Sequence, residues 1–414
     1  MIRSIPIFLL FVAAAAMLTA LSVLASDYTL EIFGNANMDD KIDQGDLRYL
    51  EEVIAGTKPA TKLSDANYDG KVDSKDLDQT AEIVSGNEKK ISIIDSAGRV
   101  VSVKMPIERV VAFNNEHVET MRSIKADNKI VGVGTHIKSN ELLSEFYDYP
   151  SVGATKNPDY ENLVELNPDV VLLYATFSTI EAEEIQSRLK DLNPGINVIR
   201  IDAFKPESYA KEAITLGYLF DRRSDADEFV NFYESWMNSI TNVVDRIPED
   251  ERPTVYYENR KPYYSAGNGT GHQQKIELAG GRNIFSDLKG YSDVDPEAVV
   301  VRDPELIVRI DADIKGYNAT DGRELREIHG DILNRSELVE VRAIKNDRVY
   351  VMNNQIVGNV RHFIGIGYLA KWFHPELLKD LNPKATHQEY LTRFQGLPWD
   401  FLDNQGVFVC PEHA

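Results

Sequence analysis

The chain has 414 residues, enough for two or three domains that each bury a core. Its formal net charge of −21 argues against nucleic acid as a partner, because nothing would neutralise the phosphates. One cysteine, Cys410, excludes an intrachain disulfide and a structural zinc site made of cysteines.

At the N-terminus, Arg3 precedes an apolar run from Ile5 to Leu24 that ends in Val23-Leu24-Ala25-Ser26. A charged start, an apolar middle and small residues at the end predict a secretory signal over residues 1–25. The run is also long enough for an uncleaved N-terminal membrane anchor. Either reading puts the chain outside the cytoplasm, secreted or held at the cell surface. No cysteine follows the run, so the usual lipoprotein tether is absent. Sequons at Asn268, Asn318 and Asn334 fit export.

Next come two oxygen-rich loops in register. The first places Asn35, Asn37, Asp39, Asp43 and Asp46 at loop positions 1, 3, 5, 9 and 12, with Lys41 at position 7. The second repeats this with Asp65, Asn67, Asp69, Asp73 and Asp76, and Lys71 at position 7. Side-chain oxygens at those steps, with the position-7 carbonyl, form the ligand ladder of Ca²⁺, which collects about six to eight oxygens. Each loop runs into an apolar helical stretch, so Leu47 answers Leu77, Val53 answers Ile83, and Gly56 and Gly86 act as stops. Two Ca²⁺ sites are expected, the second with the better sequence. Asp40 stands at position 6 of the first loop, where glycine eases the turn, and predicts strain there.

The segment 27–88 resembles a dockerin, the small all-α paired-loop module that plugs into a cohesin on a scaffold. Both loops end in Asp, as dockerins do. The resemblance implies a calcium-dependent attachment to a cohesin-bearing partner. The positions dockerins use for partner choice read Gln44-Gly45 and Ser74-Lys75, which leaves the cohesin type open.

After a polar stretch at 86–90, expected to be a hinge, strands and helices alternate. Strands are predicted at 91–95, 100–103, 109–113, 130–133, 169–174 and 197–201. A long amphipathic helix follows, capped near Ser224, with Ala226, Phe229, Val230, Tyr233, Met237 and Ile240 at three- and four-residue steps. A second set of strands is predicted at 254–257, 305–310 and 348–352. This is an α/β pattern of two lobes, 91–222 and 247–395, joined by a stiff helix over 223–246.

Asp95-Ser-Ala-Gly-Arg-Val-Val, Arg109-Val-Val, Glu161-Asn-Leu-Val-Glu-Leu-Asn-Pro-Asp-Val-Val, Ala279-Gly-Gly-Arg-Asn-Ile-Phe285 and Glu297-Ala-Val-Val-Val-Arg-Asp-Pro-Glu-Leu-Ile occur in order. In that order they resemble the periplasmic-binding-protein family for iron–siderophore, haem and cobalamin uptake. The resemblance covers about residues 91–395. It implies two Rossmann-like lobes (a class III fold), one chelate held between them, and docking on an ABC permease. It also implies that Glu161 and Glu297, one per lobe, pair with permease arginines.

Ligands of α/β lobes sit beyond the carboxyl ends of the strands. The loops expected there supply Asn115, His117, Tyr160, Tyr174, Tyr257, Arg260, Tyr264, Arg309, Arg361 and His362. Aromatic faces and guanidinium forks suit a flat or caged metal chelate bearing carboxylates, and either histidine could ligate iron or haem. Gly267-Asn-Gly-Thr-Gly271 hints at a phosphate loop but lacks the Lys-Ser/Thr ending, and reads better as a turn on the pocket rim. An iron chelate is therefore the expected cargo, with haem or a corrinoid as alternatives. No enzyme motif is present and no catalytic cofactor is implied. A carbohydrate-degrading enzyme is the natural rival, since dockerins are often appended to those. A third reading is a surface adhesion protein without a transport role.

Overall fold

The computed structural model describes residues 28–411 except 318 and 320. The signal expected over 1–25 and the sequon at Asn318 lie outside the described residues. Among the described residues no helix is long and apolar enough to cross a membrane.

The two loops lead into α1 (Gln44–Ile54) and α2 (Ser74–Ser85). The same capping box opens both: Asp43 and Asp73 cap the helix, and Asp46 and Asp76 return the bond from its third position. Met38 and Tyr68, at the fourth loop position, share a left-handed backbone. The repeat breaks at position 6, where Gly70 has φ +90° and Asp40 does not enter the left-handed region. The strain expected at Asp40 is therefore not stored there, because the first loop turns by a different path.

The hinge expected at 86–90 is not one. A hairpin, β1 (Lys90–Ile94) and β2 (Val100–Lys104), follows directly and joins the paired loops to the body. Phe33 donates to the Ser92 carbonyl at 2.9 Å and Ile94 to that of Glu31 at 2.8 Å. The Tyr218 hydroxyl accepts from the Ile42 amide at 3.1 Å. Glu88 is buried against Arg223, whose guanidinium also caps the Ile83 carbonyl. Leu30, Ile32, Ile42 and Ile83 share one apolar core with Ile91 and Ile93. The physical reason is size: a two-helix segment buries too little on its own and borrows a core.

The first lobe contains β3 (Val110–Ala112), α3 (Asn115–Ser123), β4 (Ile130–Val133), β5 (Gly153–Ala154), β6 (Asn157–Pro158), α4 (Tyr160–Glu165), β7 (Val170–Leu173), α5 (Thr179–Leu192), β8 (Asn197–Arg200) and α6 (Tyr209–Leu219). Its parallel sheet runs in the order β4-β3-β7-β8. The helix α7 (Arg223–Val244) then spans 22 residues, roughly 33 Å. It starts at Arg223, beside the expected Ser224, but without the side-chain cap expected there; Arg223 is instead held by Glu88 and the Ile83 carbonyl. Its buried stripe includes Ala226, Phe229, Val230, Tyr233, Met237, Ile240 and Val244.

The second lobe contains β9 (Thr254–Asn259), β10 (Tyr264–Ala266), α8 (Gly271–Leu278), β11 (Arg282–Asn283), β12 (Tyr291–Asp293), α9 (Pro296–Arg302), β13 (Leu306–Asp311), α10 (Arg323–Leu333), α11 (Arg342–Lys345), β14 (Val349–Asn353), α12 (His362–Phe373), α13 (Pro383–Arg393), α14 (Phe401–Asn404) and β15 (Val409–Cys410). Its sheet order is β11-β9-β13-β14-β15, parallel except for the last strand. The lobe therefore runs past 395, because β15 completes its edge. The chain around α13 also crosses back: Tyr390 donates to Glu119 at 2.9 Å and Gln395 to Ser123 at 2.7 Å, both acceptors on α3.

Candidate ligand-binding cleft

Two hollows open near the carboxyl ends of the parallel strands. One, of about 500 Å³, is lined on the first lobe by Asn115, Glu116, His136, Lys156, Tyr174 and Phe177. The other, of about 530 Å³, lies between Phe204–Glu207 after β8 and Asn268–Lys275 at the start of α8. The rings of Tyr174 and Phe204, 5.4 Å apart, stand between them. The second hollow thus opens between the lobes, and the first adjoins it through this ring pair.

Several residues expected from the sequence do meet there. The Tyr174 hydroxyl donates to the Glu116 carboxylate, whose pKa burial pushes up. Asn115 Oδ1 is buried without a hydrogen-bond partner. On the second lobe, Tyr257 stacks on His272 with centroids 5.0 Å apart, and Tyr264 stacks on Tyr291 at 6.0 Å. The Tyr257 hydroxyl is buried and has no partner. Arg260 is exposed on a left-handed backbone, φ 62°, and its charge acts on His272 and Tyr291. Burial, then the charges of Lys275 and Arg260, hold His272 neutral by pushing its pKa well down.

Five expected ligand contacts lie elsewhere. Arg309 is buried, donating to Glu258 at 3.0 Å and Asp311 at 2.9 Å. The same Glu258 accepts both guanidinium nitrogens of Arg335, at 2.7 and 2.9 Å, and the Tyr263 amide at 2.8 Å. Arg361 is also buried, 3.3 Å from the Glu119 carboxylate and over the Tyr317 ring, as a strut between lobes. His117 is fully buried, with Nε2 2.6 Å from the Ile201 carbonyl, and burial lowers its pKa to about 4. His362 faces the Tyr233 hydroxyl at 2.9 Å and the Asn359 carbonyl at 3.0 Å, and burial lowers its pKa to about 3. Tyr160 opens α4 and packs on the first lobe's apolar core rather than lining either hollow.

Sequence reasoning missed Phe204, His272, Lys275 and Tyr291. The glycine-rich turn at 267–271 was the available signal for two of them. Lys275 is 5% exposed, and burial takes its ammonium pKa down to about 8.

Away from the cleft, Glu161 and Glu297 occupy equivalent places. Each is the second residue of a short helix, α4 or α9, and each is exposed. Asp159 and Asp295 cap those helices, and β7 and β13 follow.

The paired loops show a partial fit to a hard cation. Asn35 Oδ1 in the first and Asn67 Oδ1 in the second are buried oxygens without a donor. Asp46 and Asp76 each accept the amides of two loop residues, Asn37 with Asp43 and Asn67 with Asp73. Asp39 and Asp69 accept from the amides of Lys41 and Lys71 at 3.0 and 3.1 Å. Among the described residues no three His, Cys, Asp or Glu side chains are gathered closely enough to hold a metal by themselves. Amide and carbonyl oxygens would have to complete each set.

Two α/β lobes, a spanning helix and a cleft at the strand ends define a solute receptor. The chain belongs to the periplasmic binding protein family, whose profile matches residues 110–356. It is 25% identical over 295 residues to the ABC transporter substrate-binding lipoprotein YvrC of Bacillus subtilis, covering 70% of this chain and 87% of that one. It is 26% identical over 223 residues to a cobalamin-binding protein of Halobacterium salinarum, 52% of this chain and 57% of that one. It is 24% identical over 233 residues to the high-affinity haem uptake protein IsdE of Staphylococcus aureus, 56% and 75%. The TroA-like periplasmic binding protein FepB from Veillonella parvula shares the fold, with TM-score 0.65 and 24% identity over 77% of this chain and 98% of that one. The chain is thus an ABC-transporter substrate-binding protein of the siderophore, haem and cobalamin type. Its relatives are transport receptors rather than enzymes.

Proposed function

We propose that this receptor carries a metal–organic chelate, with an iron–siderophore complex, haem and a corrinoid as the candidate cargoes. The observation that carries the reading is the aromatic cleft. Tyr174 and Phe177 line the first hollow, Phe204 lines the second with His272 and Tyr291 from the other lobe, Tyr257 stacks on His272, and Arg260 is an exposed cation acting on His272 and Tyr291. Flat apolar faces with one guanidinium suit a large ligand with acidic edges. Glu161 and Glu297 are the proposed contacts to the permease, one from each lobe.

The paired loops are proposed to bind two Ca²⁺ ions. The orphan oxygens of Asn35 and Asn67 support this, since a cation would satisfy them. A cohesin-bearing scaffold is the proposed outside partner of this segment, through the exposed Gln44, Ser74 and Lys75.

Native mass spectrometry of the full chain, with ferric siderophores, haem and cobalamin as probes, tests the cargo. One chelate retained at 1:1, and weakened by Arg260→Ala, is the expected result. No retained chelate across the set, with the chain folded, counts against a chelate receptor.

A further inference from the structure

The Lys275 ammonium is a charge the cleft leaves unpaired. Its residue belongs to the last turn of the eight-residue α8, four positions after Gly271, and is almost fully buried. Long helical side chains lean back toward the helix start. Accordingly its Nζ sits 3.7 Å from where a Cβ on Gly271, the first residue of α8, would stand. A cation at the positive end of a helix is opposed by the backbone dipoles. Among the described residues Lys275 makes no ion pair and no side-chain hydrogen bond.

The backbone around it is equally underused. The Thr270 hydroxyl caps the Gln273 amide at 3.2 Å, and the Thr270 carbonyl takes the Gln274 amide at 3.3 Å. That leaves the amides of Gly271 and His272 without a helical acceptor. Gly269 has φ +79° and open space where a Cβ would be, so a ligand atom can approach the main chain. All of these residues line the 530 Å³ hollow between the lobes. Two carboxylates line it too, and an amide side chain engages each. Gln274 donates to Glu207 at 2.8 Å, and Gln273 donates to Glu277 at 2.6 Å.

We propose that the start of α8, with the Lys275 ammonium behind it, is the seat for a phosphate group carried by the cleft's ligand. Two amides without acceptors and an ammonium, gathered at one helix start, offer three donors for the oxygens of a tetrahedral anion. The inference rests on the chelate-receptor reading and narrows it. Among the candidate cargoes, a corrinoid with its nucleotide tail carries a phosphodiester, whereas haem offers only carboxylates.

The test uses the full chain, its Lys275→Met variant, which keeps the unbranched stem, and Lys275→Arg. The first arm compares the rise in Tm caused by inorganic phosphate with that caused by chloride at equal ionic strength. The second titrates cyanocobalamin against dicyanocobinamide, which has the same ring without the phosphodiester tail. The wild-type chain and Lys275→Arg should be stabilised by phosphate and should prefer cyanocobalamin by about tenfold or more, a difference one charge-assisted contact supplies. Lys275→Met should lose both effects and bind the two corrinoids with equal affinity. Phosphate stabilisation equal in wild type and Lys275→Met, or a corrinoid preference unchanged by that substitution, overturns the seat. A phosphate response that needs Lys275, with no chelate of any kind bound, overturns the receptor reading and leaves the seat standing.

Discussion

Replacing Lys275 by Met should make the ligand-free protein more stable. The ammonium has a folded pKa of about 8 against an ordinary 10.5, lowered by burial. At about 1.36 kcal/mol per unit, that difference corresponds to roughly 3 kcal/mol. The folded state binds its proton less tightly than the unfolded chain does. The penalty is therefore complete below about pH 8, shrinks as pH rises, and is gone above about 10.5. Met keeps the apolar stem and drops the charge, so the variant should gain roughly 3 kcal/mol at pH 7. Near pH 9.5 the gain should have fallen to about 1 kcal/mol. Urea unfolding of both proteins at the two pH values measures this, read as a shift in midpoint at constant slope. A variant that is neutral or destabilised at pH 7, with no change at pH 9.5, would falsify the claim that the ammonium is buried without a partner.

Arg309→Ala should cost about 3–5 kcal/mol by leaving the buried Glu258 short of a partner, whereas Arg260→Ala should shift stability by less than about 0.5 kcal/mol and weaken chelate binding instead. Denaturant melts and calorimetric titration separate the two. Equilibrium dialysis should find two Ca²⁺ per chain and one in Asp69→Ala, and chelation by EDTA should lower the Tm of the whole receptor. Tyr218→Phe should cost about 1 kcal/mol by removing the acceptor of the Ile42 amide. The double variant Glu161→Ala/Glu297→Ala should bind its chelate normally and fail to stimulate the ATPase of a reconstituted permease; normal stimulation would remove both glutamates from the docking surface.

The lobes were legible because their buried strands are unbroken apolar runs, such as Val170–Leu173, and α7 repeats its apolar residues at helical spacing. The paired loops were legible because a repeat of side-chain oxygens is a local pattern. The cleft was only partly so. Arg309 and Arg361 look like ligand contacts until Glu258 and Glu119 are brought to them from 51 and 242 residues away. A charged residue in a loop carries no local mark of a distant partner. The stretch at 86–90 misled for the same reason, since Glu88 meets Arg223 across 135 residues. Lys275 was missed because the glycine-rich turn was read without the helix that brings a side chain four residues later back over it.

The absence of a hinge after the paired loops has a mechanical consequence. Tyr218 and Arg223 bolt the paired-loop segment to α6 and the start of α7, and a shared core fills the joint. A flexible tether lets its cargo sample every heading within reach, so that only distance matters. This joint behaves as a bracket. Any surface that grips the segment by its exposed helices also sets the compass bearing of the cleft.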